Sequence, residues 1–143
     1  EPPTISGEDV LVIDAPSRGS QAKRLHAHLT GLVDRDRVRP EDIAVLVPSV
    51  GHQEYYQALS DRPLPSGSRW AIEEYGVAGG VRVETVHRFK GLEAAVVYLW
   101  GADTFSPELD GETLYVTLSR AKSRLILVGD EARCNVVLKS HAT

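Results

Sequence analysis

Residues 81–100 read V-R-V-E-T-V-H-R-F-K-G-L-E-A-A-V-V-Y-L-W, and the way this stretch divides decides the fold. Its last part, Ala95–Trp100, belongs to the most apolar run in the chain and predicts a buried strand; Val81–Val83 predicts another. Between them, Thr85–Glu93 packs two cations, a histidine and a carboxylate into nine residues. Gly91 lets the backbone turn tightly or approach a ligand, Lys90 offers a point charge, and Glu93 can accept hydrogen bonds from hydroxyls. Strand alternation predicts Thr85 and His87 on the side opposite Val86, as donors toward a phosphate backbone. Spacing alone leaves a second reading equally open, in which His87 and Lys90 are surface polar residues on a connector.

Working outward, the same apolar character recurs. Val10–Ile13 and Ile43–Val47 are all-apolar runs, the second ended by Pro48, which has no donor for a sheet ladder. Leu125–Val128 predicts the last strand. Ala22, Leu25, Leu29, Leu32 and Val33 recur at helical spacing, and a second helix is predicted over His52–Leu59. Ser60–Arg69 is rich in proline and glycine and predicts a loop, Trp70–Glu74 a short strand, and G-V-A-G-G at residues 76–80 a turn. A further helix is predicted from about Gly111 to Ala121, with Leu114, Leu118 and Ala121 forming one apolar stripe and Thr113, Thr117 and Arg120 another side. Continuous Val, Ile and Leu runs are the mark of strands covered on both faces, so the fold class is α/β, a parallel sheet with helices on both faces. Ligands in such sheets gather at the carboxyl ends of strands, and Thr85–Glu93 is predicted to lie at such an end.

Composition bounds the rest. A chain of 143 residues with 42% hydrophobic and 25% charged content fits one globular domain. The single cysteine, Cys134, cannot form an internal disulfide, and no apolar run approaches the roughly 20 residues of a membrane helix, so a reducing, cytoplasmic setting without membrane contact is expected. The amino terminus lacks a signal-peptide pattern and does not start with methionine, which predicts a piece of a longer protein. The net charge of -4 argues against a free-standing nucleic-acid binder. Its distribution is uneven, however: Arg82–Lys90 carries three cations against one acid, and Tyr115–Arg124 three against none. Either stretch alone is more often a solvated face. Arg120 on its own reads first as a solvated charge or a salt bridge with Glu112 or Glu131, although a guanidinium fixed on a rigid helix also suits bidentate recognition of phosphate.

Taken together, T-V-H-R-F-K-G-L-E followed by an apolar strand resembles motif V of the UvrD/Rep-type superfamily-one helicases, and L-Y-V-T-L-S-R-A-K-S-R-L resembles their motif VI. R-P-E-D-I-A-V-L-V-P-S is similar to the strand that bears motif IV. The resemblance implies that residues 1–143 form the second, RecA-like motor domain of a DNA helicase. Such a domain closes over ATP and Mg2+ held mainly by the first RecA-like domain of the same polypeptide, while single-stranded DNA runs across both. On the matching positions, it implies nucleic-acid contacts for Thr85, His87 and Lys90, contact with the nucleotide ribose for Gly91 and Glu93, and a γ-phosphate-facing catalytic role for Arg120; Lys122 also matches. Val47 and Pro48 depart from the pattern, standing where an adenine-stacking aromatic and an arginine are expected, and Arg69 and Arg88 are candidate substitutes. The loop from Ser60 to Gly80 is too short for the inserted subdomain that many such helicases carry.

No G-x-x-x-x-G-K-[ST] occurs, so the chain alone is expected not to hydrolyse ATP. Two other readings stay open at this stage. One is a RecA-like docking module for protein or nucleic acid without ATPase function; the other is an unrelated flavodoxin-like or receiver-like domain suggested by Asp14 after V-L-V-I, of which the receiver would need an acceptor aspartate after the middle strand where A-V-L-V-P-S-V has none.

Overall fold

The computed structural model describes residues 10–89, 92–104 and 121–134, apart from the side chains of residues 122 and 123. Six strands form one sheet: β1 (Val10–Asp14), β2 (Ile43–Val47), β3 (Arg69–Ile72), β4 (Gly80–Thr85), β5 (Ala94–Trp100) and β6 (Ala121–Gly129). Their spatial order is β1-β6-β5-β2-β4-β3, and every pairing is parallel. The predicted α/β, RecA-like class is therefore what the chain adopts.

The continuous apolar runs have a direct cause, since alternate residues of each strand are buried on opposite faces. Val45, Val47, Val81, Val83, Tyr98, Trp100, Ile126 and Val128 share the first face with two helices, α1 (Arg18–Asp34) and α2 (His52–Ser60). α1 presents Ala22, Leu25, Leu29 and Leu32 to the sheet, and α2 presents Tyr55, Tyr56 and Leu59. Ser17 caps α1 reciprocally with Ser20, each side chain taking a backbone donor of the other. On the second face Ala44, Leu46, Val97, Leu99, Leu125 and Leu127 are covered by Val86, Phe89, Leu92, Ala102 and Cys134. Cys134 sits in a helical turn at residues 131–134, whose Glu131 N–H donates to Asp14 at 3.0 Å.

Two sequence expectations are corrected. Ala121 opens β6 in register with Ala94 and is buried, so the predicted helix does not extend to it; residues 111–120 lie outside the described residues. The short strand is Arg69–Ile72, and it stops because Glu73 takes the left-handed conformation, with φ 55°. The connection from β3 to β4 is only residues 73–79, far shorter than the dozen or more of an ordinary parallel crossover, and left-handed Gly76 and Gly79 let it double back.

The most consequential feature is the route of the chain after β4. It leaves the sheet at Thr85, crosses the second face through buried Phe89 and half-buried Leu92, and enters β5 at Ala94 on the far side of β2. Thr85 is level with Val47, the last residue of β2, whereas Val96 is level with Ile43, the first. At about 3.3 Å per residue, Thr85 and Ala94 are about 20 Å apart along the strand direction. Thr85–Glu93 was expected at the carboxyl end of the sheet; only its beginning is there, and Glu93 reaches the amino end.

Candidate functional site

At the carboxyl edge, the segments leaving β1, β2, β4 and β5 enclose a cleft of about 540 Å³. It forms where the chain leaving β2 turns to the first face and the chain leaving β4 turns to the second, the kind of crevice in which α/β sheets bind ligands. Its walls include Pro48, Ser49, Ala58 and Val86, with Arg18, Glu54, His87 and Thr104 supplying polar groups. Gly101 makes the cleft's inner wall possible. With φ at 85° it adopts a conformation that favours glycine, and a Cβ there would come within 2.8 Å of both the Pro48 ring and the Tyr55 hydroxyl.

Beneath the cleft lies a polar chain in an otherwise apolar floor. The fully buried Trp100 indole donates to Gln21 Oε1 at 3.0 Å, and Gln21 Nε2 donates to the Ala15 carbonyl at 3.0 Å. Arg18 Nη1 donates to the same Gln21 oxygen at 2.7 Å and approaches Asp103 Oδ1 at 3.5 Å. Its guanidinium also stands 5.1 Å from the centre of the Tyr55 ring, which meets Trp100 edge-on at 4.8 Å. Burial pushes the Tyr55 hydroxyl above its ordinary pKa, and Arg18 partly opposes the shift. Sequence reading missed Arg18, Tyr55 and Trp100 as site residues. Gln21 was the readable hint, because it continues the Leu25–Leu29–Leu32 stripe into the core and a buried glutamine demands partners.

Of the residues singled out from sequence, His87 is exposed and lines the cleft. Thr85 is buried, and its hydroxyl accepts from the Arg88 N–H at 3.4 Å. The expected alternation does not hold: β4 ends at Thr85, residues 86–89 form a turn, and Val86 and His87 border the cleft together. Neither candidate substitute for the missing arginine lines the cleft. Arg69 opens the edge strand β3 in register with Gly80, and Arg88 lies between Glu84 at 3.8 Å and Glu73 at 4.0 Å. Glu73 in turn accepts from the Tyr56 hydroxyl at 3.0 Å. Glu84 is buried with Oε2 unpartnered among the described residues, and burial pushes its pKa upward.

Glu93 is exposed at the opposite, amino edge, beside Ala94, whose register partner is Ala121. Lys90, Gly91 and Arg120 lie outside the described residues, as does the side chain of Lys122. Among the described residues no three His, Cys, Asp or Glu side chains cluster so as to hold a metal ion, and no helix is long and apolar enough to cross a membrane.

The sheet, its route from β4 to β5 and the motif at their junction can now be set beside known proteins. Residues 80–128 match the UvrD-like helicase C-terminal domain. The match runs from β4 to the penultimate residue of β6 and contains both motifs on which the sequence resemblance rests, so the resemblance is borne out over this stretch. The fold is similar to the crystal structure of the C-terminal domain of a possible DNA helicase from Lactobacillus plantarum WCFS1. That similarity has a TM-score of 0.61 and 23% identity, and it covers 85% of this chain and 73% of that one. No curated protein matches the chain. The family similarity thus covers residues 80–128, and the structural similarity shows the fold.

Proposed function

We propose that this domain is the second motor half of an ATP-dependent DNA helicase or translocase, pairing with a first RecA-like domain that carries the phosphate-binding loop. The observation that carries the reading is the course of Thr85–Glu93, which starts at the carboxyl edge beside the cleft and finishes about 20 Å away at the amino edge. One short segment therefore links two surfaces. In this reading His87 and the cleft meet single-stranded DNA, and Lys90 adds a cation to the same segment.

At the amino edge, Glu93 accepts hydrogen bonds from the ribose hydroxyls of ATP, and Gly91 gives the backbone room to approach the sugar. The fit rests on Glu93 itself: its carboxylate is exposed and has no ion-pair partner among the described residues, so it is open to hydroxyl donors. Arg120 precedes Ala121, and Ala121 is in register with the residue after Glu93, which supports placing both at one nucleotide-facing edge. ATP, with its Mg2+ held by the first domain, supplies the transferable phosphoryl group. Arg120 stabilises charge on that group from across the interdomain gap, which ties hydrolysis to closure of the two domains.

Strand binding is testable on this chain directly. Anisotropy with labelled oligothymidylate should show weak binding that falls about tenfold between about 50 and 200 mM salt, as expected for two or three phosphate contacts. No binding at low salt, or tight binding indifferent to salt, would overturn the strand-binding part of the reading.

A further inference from the structure

The cleft is an unusual place for a phosphate. Among the described residues Arg18 is the one lysine or arginine that lines it, and Asp103 at 3.5 Å already balances much of that charge. Glu54 adds an opposing carboxylate, while Pro48, Val86, Tyr55 and Trp100 make the lining largely apolar. A phosphate group favours several converging donors and net positive charge, whereas a flat base favours apolar walls with a few fixed polar groups.

Arg18 is also set in place before any ligand arrives. Its contacts to Gln21 and Asp103 both use Nη1, and the Tyr55 ring fixes the position of the guanidinium. Gln21 cannot swing away, because Trp100 and the Ala15 carbonyl hold its two ends. Nε and Nη2 have no hydrogen-bond partner among the described residues, and the side chain is 43% exposed. A planar donor pair in a fixed orientation matches a base edge with two adjacent acceptors, which guanine presents through O6 and N7.

We infer that this cleft takes an unstacked base of the bound strand and that Arg18 reads its edge, giving the domain a preference for guanine. The inference rests on the strand-binding reading above and adds a specificity-determining residue to it. Binding would be measured by anisotropy with three labelled strands of equal length: alternating guanosine and thymidine, thymidine alone, and abasic sites throughout. The guanine-containing strand should bind about tenfold tighter than oligothymidylate, within the range of one good bidentate pair, and the abasic strand should bind most weakly. Arg18→Lys keeps the charge and loses the planar fork, so it should reduce the guanine-to-thymine ratio to about one, with the thermal melt confirming that the variant is folded. Equal affinity for all three strands, or an Arg18→Lys variant that keeps the guanine preference, would overturn the inference while leaving strand binding intact. Failure of every strand to bind would overturn both.

Discussion

The two edges of the sheet are built differently. At the carboxyl edge the arginine is supported in layers: Trp100 and the Ala15 carbonyl fix Gln21, Gln21 fixes Arg18, and Gly101 lets Pro48 and Tyr55 close the wall. At the amino edge, Glu93 stands exposed with no ion-pair partner among the described residues. The contrast teaches that the Arg18 side of one edge is held by contacts within this domain, whereas at the other edge the Glu93 carboxylate is left free of ion pairs among the described residues. The two edges should therefore fail in different ways when altered.

The largest effect is expected at the amino edge. In a protein joining this domain to its ATP-binding partner, Arg120→Ala should lower DNA-stimulated ATPase by roughly 10³-fold or more, as for other arginines that face a transferring phosphoryl group. On the proposed reading, in which Arg120 acts on the nucleotide rather than in the core, stability should move by less than about 0.5 kcal/mol. A large drop in melting temperature with unchanged turnover would mean that Arg120 is a structural ion-pair residue.

At the carboxyl edge the order of effects reverses, because its parts are embedded in the core. Trp100→Ala should cost about 3–5 kcal/mol, the range for truncating a buried large aromatic. Trp100→Phe retains most of the packing but removes one donor to Gln21 Oε1, which still accepts from Arg18, so about 0.5–1.5 kcal/mol is expected, the range for one hydrogen bond. Chemical denaturation separates the two, and a loss close to zero for Trp100→Phe would show that the hydrogen bond to Gln21 contributes little.

The smallest effect concerns the support behind the motif turn. Burial raises the pKa of Glu84, so the folded state holds its proton more tightly than the unfolded chain does. Its contribution favours folding below the ordinary carboxylate range and is lost as pH rises through the raised folded value. Glu84→Gln should accordingly raise the melting temperature more at about pH 7 than at about pH 4. Greater destabilisation at neutral pH would show instead that the Arg88 pair, at 3.8 Å, outweighs the cost of burial.

These contrasts also explain what was legible in the sequence. The strands could be read because both faces of the sheet are covered, which leaves unbroken runs such as Ile43–Val47 and Ala95–Trp100. The place of His87 near the carboxyl end could be read because it follows the β4 run by two residues. The separation of Thr85 from Glu93 could not, since it depends on β2 lying between β4 and β5, a fact of spatial order that no local pattern encodes. Ala121 looked helical because a helical stripe ran into it, and pairing with Ala94 overrode that periodicity. Arg18 was hidden for a similar reason: it enters the cleft from the opening turn of α1, and its partners Tyr55, Trp100 and Asp103 are distant in sequence.

The central claim, that one nine-residue segment serves two separate surfaces, is tested most directly by a paired substitution in the joined protein. Strand affinity and the KM for ATP would both be measured for His87→Ala and Glu93→Ala. The account predicts that His87→Ala weakens strand binding with little change in KM, and that Glu93→Ala raises KM with little change in strand binding. If both substitutions change both quantities to the same degree, or if each changes the one assigned to the other, the separation of the two edges is contradicted.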